Sequence, residues 1–286
     1  RRRMLMTKIK DVMTHNPIVS EVPGSRTDVI KLMVTHNLTG IPIVKKDGGE
    51  LVGMITRDDI FTKPDEDQLA IIMKKNPETL SPDDSIEYAA ERILETHVTH
   101  MPVVENKHLV GILTPTDLLH EVEKRGGNIS VEDVAISPCV PIFQDSPLRV
   151  ALATFRASNV NALPTLDENG RLSGILTDRD IFNKSLINGS STITAMGIAS
   201  DEDEWSWEGL KGVMKMWFEI SKVELPAIPV RDIMIPHPTT VFSKTSVVES
   251  ARIMRRNDFG QLPVVDSKDV LIGMLYDTDI ISVLVQ

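Results

Sequence analysis

A single cysteine, Cys139, occurs in 286 residues. The chain therefore holds no internal disulfide framework, and this cysteine usage fits a reducing cytoplasm. No apolar run approaches the length of a membrane span, and Arg1 to Met6 lacks the hydrophobic stretch of a secretory leader. Positive charge is also short. Lys and Arg number 31 against 41 Asp and Glu, a formal net charge of −10, whereas a general nucleic-acid binder neutralises phosphates with a basic surface. Small anionic ligands stay open, because they need only a local cluster of donors. Catalytic signatures are missing as well: there is no Gly-x-Ser-x-Gly elbow, no Walker loop and no HExxH pair. The seven histidines are scattered, and His97 and His100 read as local polar residues rather than a metal pair. Cys139, between Pro138 and Val140, reads as a buried strand residue. A binding or sensing role without catalysis, nucleic acid or membrane fits better than an enzyme. Arg1-Arg2-Arg3 is assigned no function.

What the chain does have is a fourfold repeat. A Gly, two apolar residues, a polar one, two more and an Asp run from Gly53 to Asp59, and the same arrangement returns from Gly111 to Asp117, Gly174 to Asp180 and Gly273 to Asp279. Upstream of each Gly stands an apolar residue followed by Pro: Ile41-Pro42, Met101-Pro102, Leu163-Pro164 and Leu262-Pro263. The Pro-to-Gly separations are 53 − 42 = 11, 111 − 102 = 9, 174 − 164 = 10 and 273 − 263 = 10. So narrow a range argues for one structural unit.

Between Pro and Gly, polar turn sequences such as Asp167-Glu168-Asn169-Gly170 are flanked by apolar runs rich in β-branched residues, which predicts a β-hairpin. After the Thr or Tyr that ends the second strand, the spacing turns helical. A further helix is predicted before each Pro, from Val29, Leu32, Met33 and His36 in the first repeat, Ile86, Ala89, Ala90 and Ile93 in the second, Leu148, Ala151, Leu152 and Phe155 in the third, and Val247, Ser250, Ala251 and Met254 in the fourth. Ser85, Ser146 and Ser246 are placed to cap three of these. Short strands at Ile18-Val19, Thr79-Leu80, Val140 to Ile142 and Thr240-Val241 open the units, giving strand, helix, strand, strand, helix. A unit of some fifty residues is too small to cover both faces of its sheet and needs a partner.

A Thr at a strand-to-helix junction with an Asp three residues on has two explanations. It is a capping box, with Asp in place of the usual Glu or Gln. It is equally a ligand site: the helix start offers N–H groups and a positive dipole end to a phosphate, the Thr hydroxyl adds a donor, and the Asp accepts from ribose hydroxyls. Both predict Thr-x-x-Asp, so the motif alone does not choose.

The ordered set, with the Val-Met segments at Val12-Met13, Ile72-Met73 and Ile233-Met234, resembles a tandem of four cystathionine-β-synthase-type (CBS) motifs over residues 9–60, 68–120, 131–182 and 230–281. Its layout is similar to that of archaeal four-motif proteins and of the gamma subunit of AMP-activated protein kinase. The resemblance implies an α+β fold with the motifs paired into two Bateman modules, residues 1–125 and 126–286, as a disc. It also implies that Thr56 and Asp59, Thr114 and Asp117, and Thr177 and Asp180 contact the phosphate and ribose of an adenine nucleotide or adenosyl compound. In the fourth motif Asp279 is present but Tyr276 replaces the Thr, and in the second Pro115 removes one N–H from the helix start. Ile41, Pro42, Met101, Pro102, Leu163, Pro164, Leu262 and Pro263 are implied to line base pockets. Arg57 and Arg179, inside the motifs, are candidate phosphate partners.

Outside the resemblance lies an insertion, 183–229, that carries Trp205, Trp207 and Trp217. Ser200 ahead of four acids starts a predicted amphipathic helix through Leu210, Val213, Met214 and Trp217, which packs either on its own modules or on a partner protein. The expected function is a regulatory sensor of AMP, ADP, ATP or S-adenosylmethionine, with no cofactor required, a protein effector and a homodimer as candidate partners. The alternative is a docking protein that works through the insertion helix and takes no ligand.

Overall fold

The polar turns between Pro and Gly close antiparallel hairpins, as their flanking apolar runs predict. The computed structural model describes residues 7–46, 48–63, 66–134, 136–158, 160–177, 179–180 and 228–285. The predicted helix through Trp217, and the third repeat's closing helix beyond Asp180, lie outside them. The first repeat contains β1 (Thr14–His15), β2 (Ser20–Val22), α1 (Arg26–Thr35), β3 (Gly40–Lys45), β4 (Leu51–Thr56) and α2 (Arg57–Thr62). The second has α3 (Leu69–Ile72), β5 (Lys74–Lys75), α4 (Ile86–Thr96), β6 (Met101–Glu105), β7 (His108–Leu113) and α5 (Pro115–Arg125). The third has β8 (Ile142–Phe143), α6 (Leu148–Ser158), β9 (Ala162–Leu166) and β10 (Leu172–Thr177). The fourth has β11 (Ile235–Pro236), β12 (Val241–Phe242), α7 (Val247–Asn257), β13 (Gln261–Val265), β14 (Leu271–Tyr276) and α8 (Asp277–Ile281).

The helical stripes predicted for α4, α6 and α7 are buried at all four positions each. In α1 the buried face is Arg26, Val29, Ile30 and Met33, while His36 is an exposed C-cap. The predicted stripe there ran one turn too far. Ser85 and Ser246 cap their helices, accepting from Tyr88 N at 3.2 Å and Glu249 N at 3.1 Å. The opening strands sit a residue or two later than predicted, and in the second repeat only an isolated bridge forms, Leu80 with Val103.

Strands also cross between repeats, which the sequence reading did not anticipate. Thr14–His15 of the first repeat pairs antiparallel with β7 of the second, and Lys74–Lys75 of the second pairs with β4 of the first. Ile235–Pro236 of the fourth joins β10 of the third, and Ser137 bridges to Met274 in return. Three hairpins thus complete their sheets with an edge strand from the repeat they pair with, and the fourth receives a single bridge.

That exchange explains two sequence marks at once. A Cβ on Gly53 would lie 2.6 Å from the sulfur of Met73, and one on Gly174 would lie 2.6 Å from that of Met234, with Gly111 equally crowded by Met13. The motif Gly of one repeat therefore clears space for the Met that precedes the partner's exchanged strand. A flexible thioether fills such a gap well.

The described residues group into two compact units. The first comprises Arg1–Ile136, Ser243–Leu262 and Leu275–Gln286. Within it α5 packs against α7 and α8, and Glu123 of α5 pairs with Arg255 at 2.5 Å and Arg252 at 3.7 Å. The second comprises Ser137–Phe242 and Pro263–Met274, around a core of Ile142, Leu148, Leu152, Phe155, Leu163, Leu176, Ile233 and Met234.

Candidate functional site

Each hairpin's second strand ends at the residue that starts the next helix, so the sheet edge fixes where each Thr-x-x-Asp stands. In the first repeat Thr56 N and Oγ1 both donate to Asp59 Oδ2, at 2.8 and 2.7 Å, and Asp59 N donates back to Thr56 Oγ1 at 3.4 Å. In the second, Thr114 N and Oγ1 donate to Asp117 Oδ2 at 2.7 and 2.8 Å. In the third the distances are 3.0 and 2.5 Å to Asp180 Oδ2, with Asp180 N returning at 3.2 Å to Thr177 Oγ1. The fourth keeps the carboxylate half, Tyr276 N donating to Asp279 Oδ2 at 2.8 Å. All four are thus built as helix starts. Capping and ligand binding remain compatible, because only one carboxylate oxygen makes the cap; in the first two repeats the other faces the exchanged strand.

That supply differs by repeat. The residue after the Met in each exchanged strand stands opposite the residue after the motif Gly: Lys74 opposite Met54, Thr14 opposite Ile112 and Ile235 opposite Ile175. Accordingly Lys74 Nζ lies 3.7 Å from Asp59 Oδ1, while Thr14 Oγ1 donates to Asp117 Oδ1 at 3.4 Å. Lys74 is exposed while Asp59 is buried, and at 3.7 Å the pair adds little stability, but it sets a positive sign. Asp117 has its carboxyl pushed above the usual range, chiefly by burial.

Around the first helix start the structure gathers further polar groups. Arg57 is 4% exposed, and its N–H donates to Thr39 O at 3.1 Å. Thr39 Oγ1 lies 2.7 Å from Nε2 of His100, whose Nδ1 meets Thr99 Oγ1 at 3.1 Å. The imidazole is enclosed although the residue is only partly buried, and burial, aided by the Arg57 guanidinium, pushes its pKa down to about 4. His100 is therefore neutral at pH 7, one ring nitrogen donating and the other accepting. Its reading as a local polar residue is corrected: it reaches across to the first repeat. Gly40 makes the approach possible, since a Cβ there would lie 2.7 Å from the imidazole.

The second helix start is different. Pro115 occupies its first position, and Thr116 Oγ1 donates to Asp277 Oδ2 at 3.3 Å. Asp277, first residue of α8, also accepts from Thr278 N at 2.8 Å, and its own N–H donates to Gly260 O at 2.9 Å. Its carboxyl is enclosed, and burial raises its pKa to about 7. Arg57 and Asp277 hold the same place in their repeats, directly after the helix-capping residue, with opposite charge.

Of the remaining predicted residues, Arg179 and Asp180 begin a helix, with Asp180 buried. Ile41, Met101 and Leu163 are fully buried, Leu262 is 1% exposed, and Pro42, Pro102, Pro164 and Pro263 are buried beside them. All eight sit in the first strands of the hairpins as core. A cleft of about 460 Å³ in the second unit, lined by Arg171, His237, Pro238, Thr240, Lys268 and Asp269 among others, includes none of the predicted residues. Among the described residues no group of three or more His, Cys, Asp or Glu could hold a metal ion, and no described helix is long and apolar enough to cross a membrane.

The CBS domain sequence model matches four times, over residues 9–66, 68–124, 131–186 and 230–286. The chain belongs to the CBS domain family. A CBS domain-containing protein of Dictyostelium discoideum is 32% identical over 142 residues, half of this chain and 81% of that protein. Among solved structures, protein MJ1225 of Methanocaldococcus jannaschii, proposed as an archaeal homologue of the gamma subunit of AMP-activated protein kinase, is similar with a TM-score of 0.76 and 20% identity over 96% of this chain and 99% of that one. An uncharacterised conserved protein of Pyrococcus horikoshii gives 0.67 at 24% identity over 97% of this chain and all of that one. These likenesses establish the fold, four CBS motifs paired as two modules.

Proposed function

We propose that this CBS protein is a regulatory adenosyl-ligand sensor without catalytic activity, its ligand being AMP, ADP, ATP or S-adenosylmethionine. The observation that carries the reading is the first repeat's helix start. There Thr56 and Asp59 stand at a strand-to-helix junction, with Arg57 and Lys74 close enough to counter a phosphate and Thr39 and His100 adding polar hydrogens. Family membership supports it, as does the repetition of the same construction at Thr114 and Asp117 and at Thr177 and Asp180. Asp59 and Asp180 accept from ribose hydroxyls. The apolar-Pro elements, from Ile41-Pro42 to Leu262-Pro263, shape the base pockets from the core side. The modules are residues 1–125 and 126–286, and binding acts by shifting how they pack, which requires unequal affinity for two arrangements.

A thermal-shift panel of the full chain with AMP, ADP, ATP and S-adenosylmethionine tests this, since a ligand present at 100 times its Kd and bound only to the folded form adds about 2.7 kcal/mol. A rise with one or more of these ligands, reduced in Asp59→Ala or Asp180→Ala, is the expected result. No rise with any of them would sink the sensor and favour the docking protein.

A further inference from the structure

The hairpin turns of the two units are held differently. In the first unit the turn of the second repeat is tied to that of the first: Leu51 N donates to Lys107 O at 3.2 Å, Leu109 N donates to Gly49 O at 3.3 Å, and Glu50 bridges to His108. Counted from the motif Gly, the matching pairs of the second unit are Leu172 with Asp269 and Leu271 with Gly170. Among the described residues no backbone hydrogen bond joins them, and each turn closes only on itself, Asp167 N donating to Arg171 O at 2.8 Å and Asp266 N to Val270 O at 2.9 Å. The cleft of about 460 Å³ is lined by both of these turns, and its size is that of a small-molecule site. Arg171 stands six residues before Thr177, roughly 20 Å along an extended chain, so the cleft lies away from the third repeat's Thr-x-x-Asp.

Its chemistry also departs from the first unit's. Arg171 takes the place held in the first repeat by Glu50, which pairs with Lys45 at 2.6 Å. Arg171 and Lys268 both line the cleft, and among the described residues neither has an acid within ion-pair distance. His237, on the same wall, keeps the left-handed backbone that Asn16 and Asn76 adopt at the matching place in the first two repeats, with φ of 49° against 48° and 51°. Asparagine serves that turn, so the turn does not call for an imidazole. We propose that this cleft binds a small phosphorylated metabolite, Arg171, Lys268 and His237 meeting the phosphate and Asp269 accepting from hydroxyls beside it. The guanidinium presents paired N–H donors that match phosphate oxygens, and the ammonium adds a point charge. Pro238 and Val265 give the organic part an apolar wall. The site stands independently of the adenosyl reading.

The test is calorimetric titration of the full chain with inorganic pyrophosphate, in wild type, Arg171→Ala, Lys268→Ala and the double variant, with the thermal shift by AMP recorded on each. Both side chains are exposed, so the variants keep the fold. Expected is pyrophosphate binding by wild type, weakened about tenfold or more in each single variant as a charge-assisted hydrogen bond is lost, with the AMP shift unchanged. Arg231→Ala, which removes an exposed cation of the same unit that pairs with Asp145, should leave pyrophosphate affinity as it was. Equal weakening there would mark a general attraction of anions and overturn the inference. So would absence of binding by wild type, or equal affinity in wild type and the double variant. An AMP shift that falls together with pyrophosphate affinity would make the cleft part of an adenosyl site and overturn its independence. If pyrophosphate binds as expected while no adenosyl ligand raises the melting temperature, the adenosyl reading fails and this one stands.

Discussion

The first repeat's helix start has Arg57 behind the box and Lys74 in front of it, whereas the second has Pro115 behind, Thr14 in front and Asp277 across from Thr116. The boxes themselves match to within 0.1 Å in both Thr-to-Asp bonds, 2.8 and 2.7 Å against 2.7 and 2.8 Å. Thr-x-x-Asp is therefore common machinery for starting a helix, and what a site prefers is written in the residues that the partner repeats bring to it. A motif that serves folding in every copy cannot by itself say which copies bind.

The widest gap between the two regions is the carboxylate of Asp277, and pH should expose it. The unfolded chain releases this proton near the ordinary value of 3.8, while the folded chain keeps it to about 7. Between those values the folded form binds more protons, so this group's contribution falls as pH rises through the window, by roughly 1.4 kcal/mol for each unit of real shift. Asp277→Asn should accordingly raise Tm more at pH 8 than at pH 4, measured against wild type by calorimetry. An equal change at both values would mean that the carboxylate is not held neutral by burial.

A smaller effect should appear where the repeats agree. Gly53→Ala and Gly111→Ala both drive a methyl into the partner's Met, Met73 or Met13, and each should cost about 1–3 kcal/mol by urea unfolding. Trimming the Met in the same chain, as in Gly53→Ala with Met73→Ala, should recover part of the loss. If one glycine variant is costly and the other neutral, the exchanged strands are not equivalent and the comparison of the two sites weakens with them.

Much of this was legible in the sequence, because it is local. The hairpins follow from polar turns between β-branched runs, and α4, α6 and α7 from stripes at helical spacing that are all buried. The exchanged strands were not legible. Thr14–His15 and Lys74–Lys75 are two residues each and exposed, with no alternation to read, and their pairing is decided by the partner repeat. The sequence showed Gly53 and Met73 as separate marks of one motif, and only the exchange joins them. His100 looked local because its partner, Thr39, lies 61 positions away. Asp277 carried no signal at all, since an acid in the first turn of a helix is ordinary, and its weight comes from being enclosed against Thr116.

The smallest difference concerns the caps. If Thr56 and Thr114 were only helix starts, replacing either by Ala should cost about 1 kcal/mol, the usual value of a lost N-cap, and the two should agree because their bonds to Asp59 and Asp117 agree. Ligand separates them. With AMP present, Thr56→Ala should lose further melting temperature relative to wild type, because the hydroxyl that holds the Asp59 carboxylate in place goes with the cap. Thr114→Ala should show a smaller ligand-dependent loss, because Pro115 offers no N–H there and Thr14 stands where Lys74 stands in the first repeat. A ligand-dependent loss at Thr114 equal to that at Thr56 would show that both helix starts take the ligand alike, and the difference drawn from Arg57, Lys74, Pro115 and Thr14 would not matter to binding.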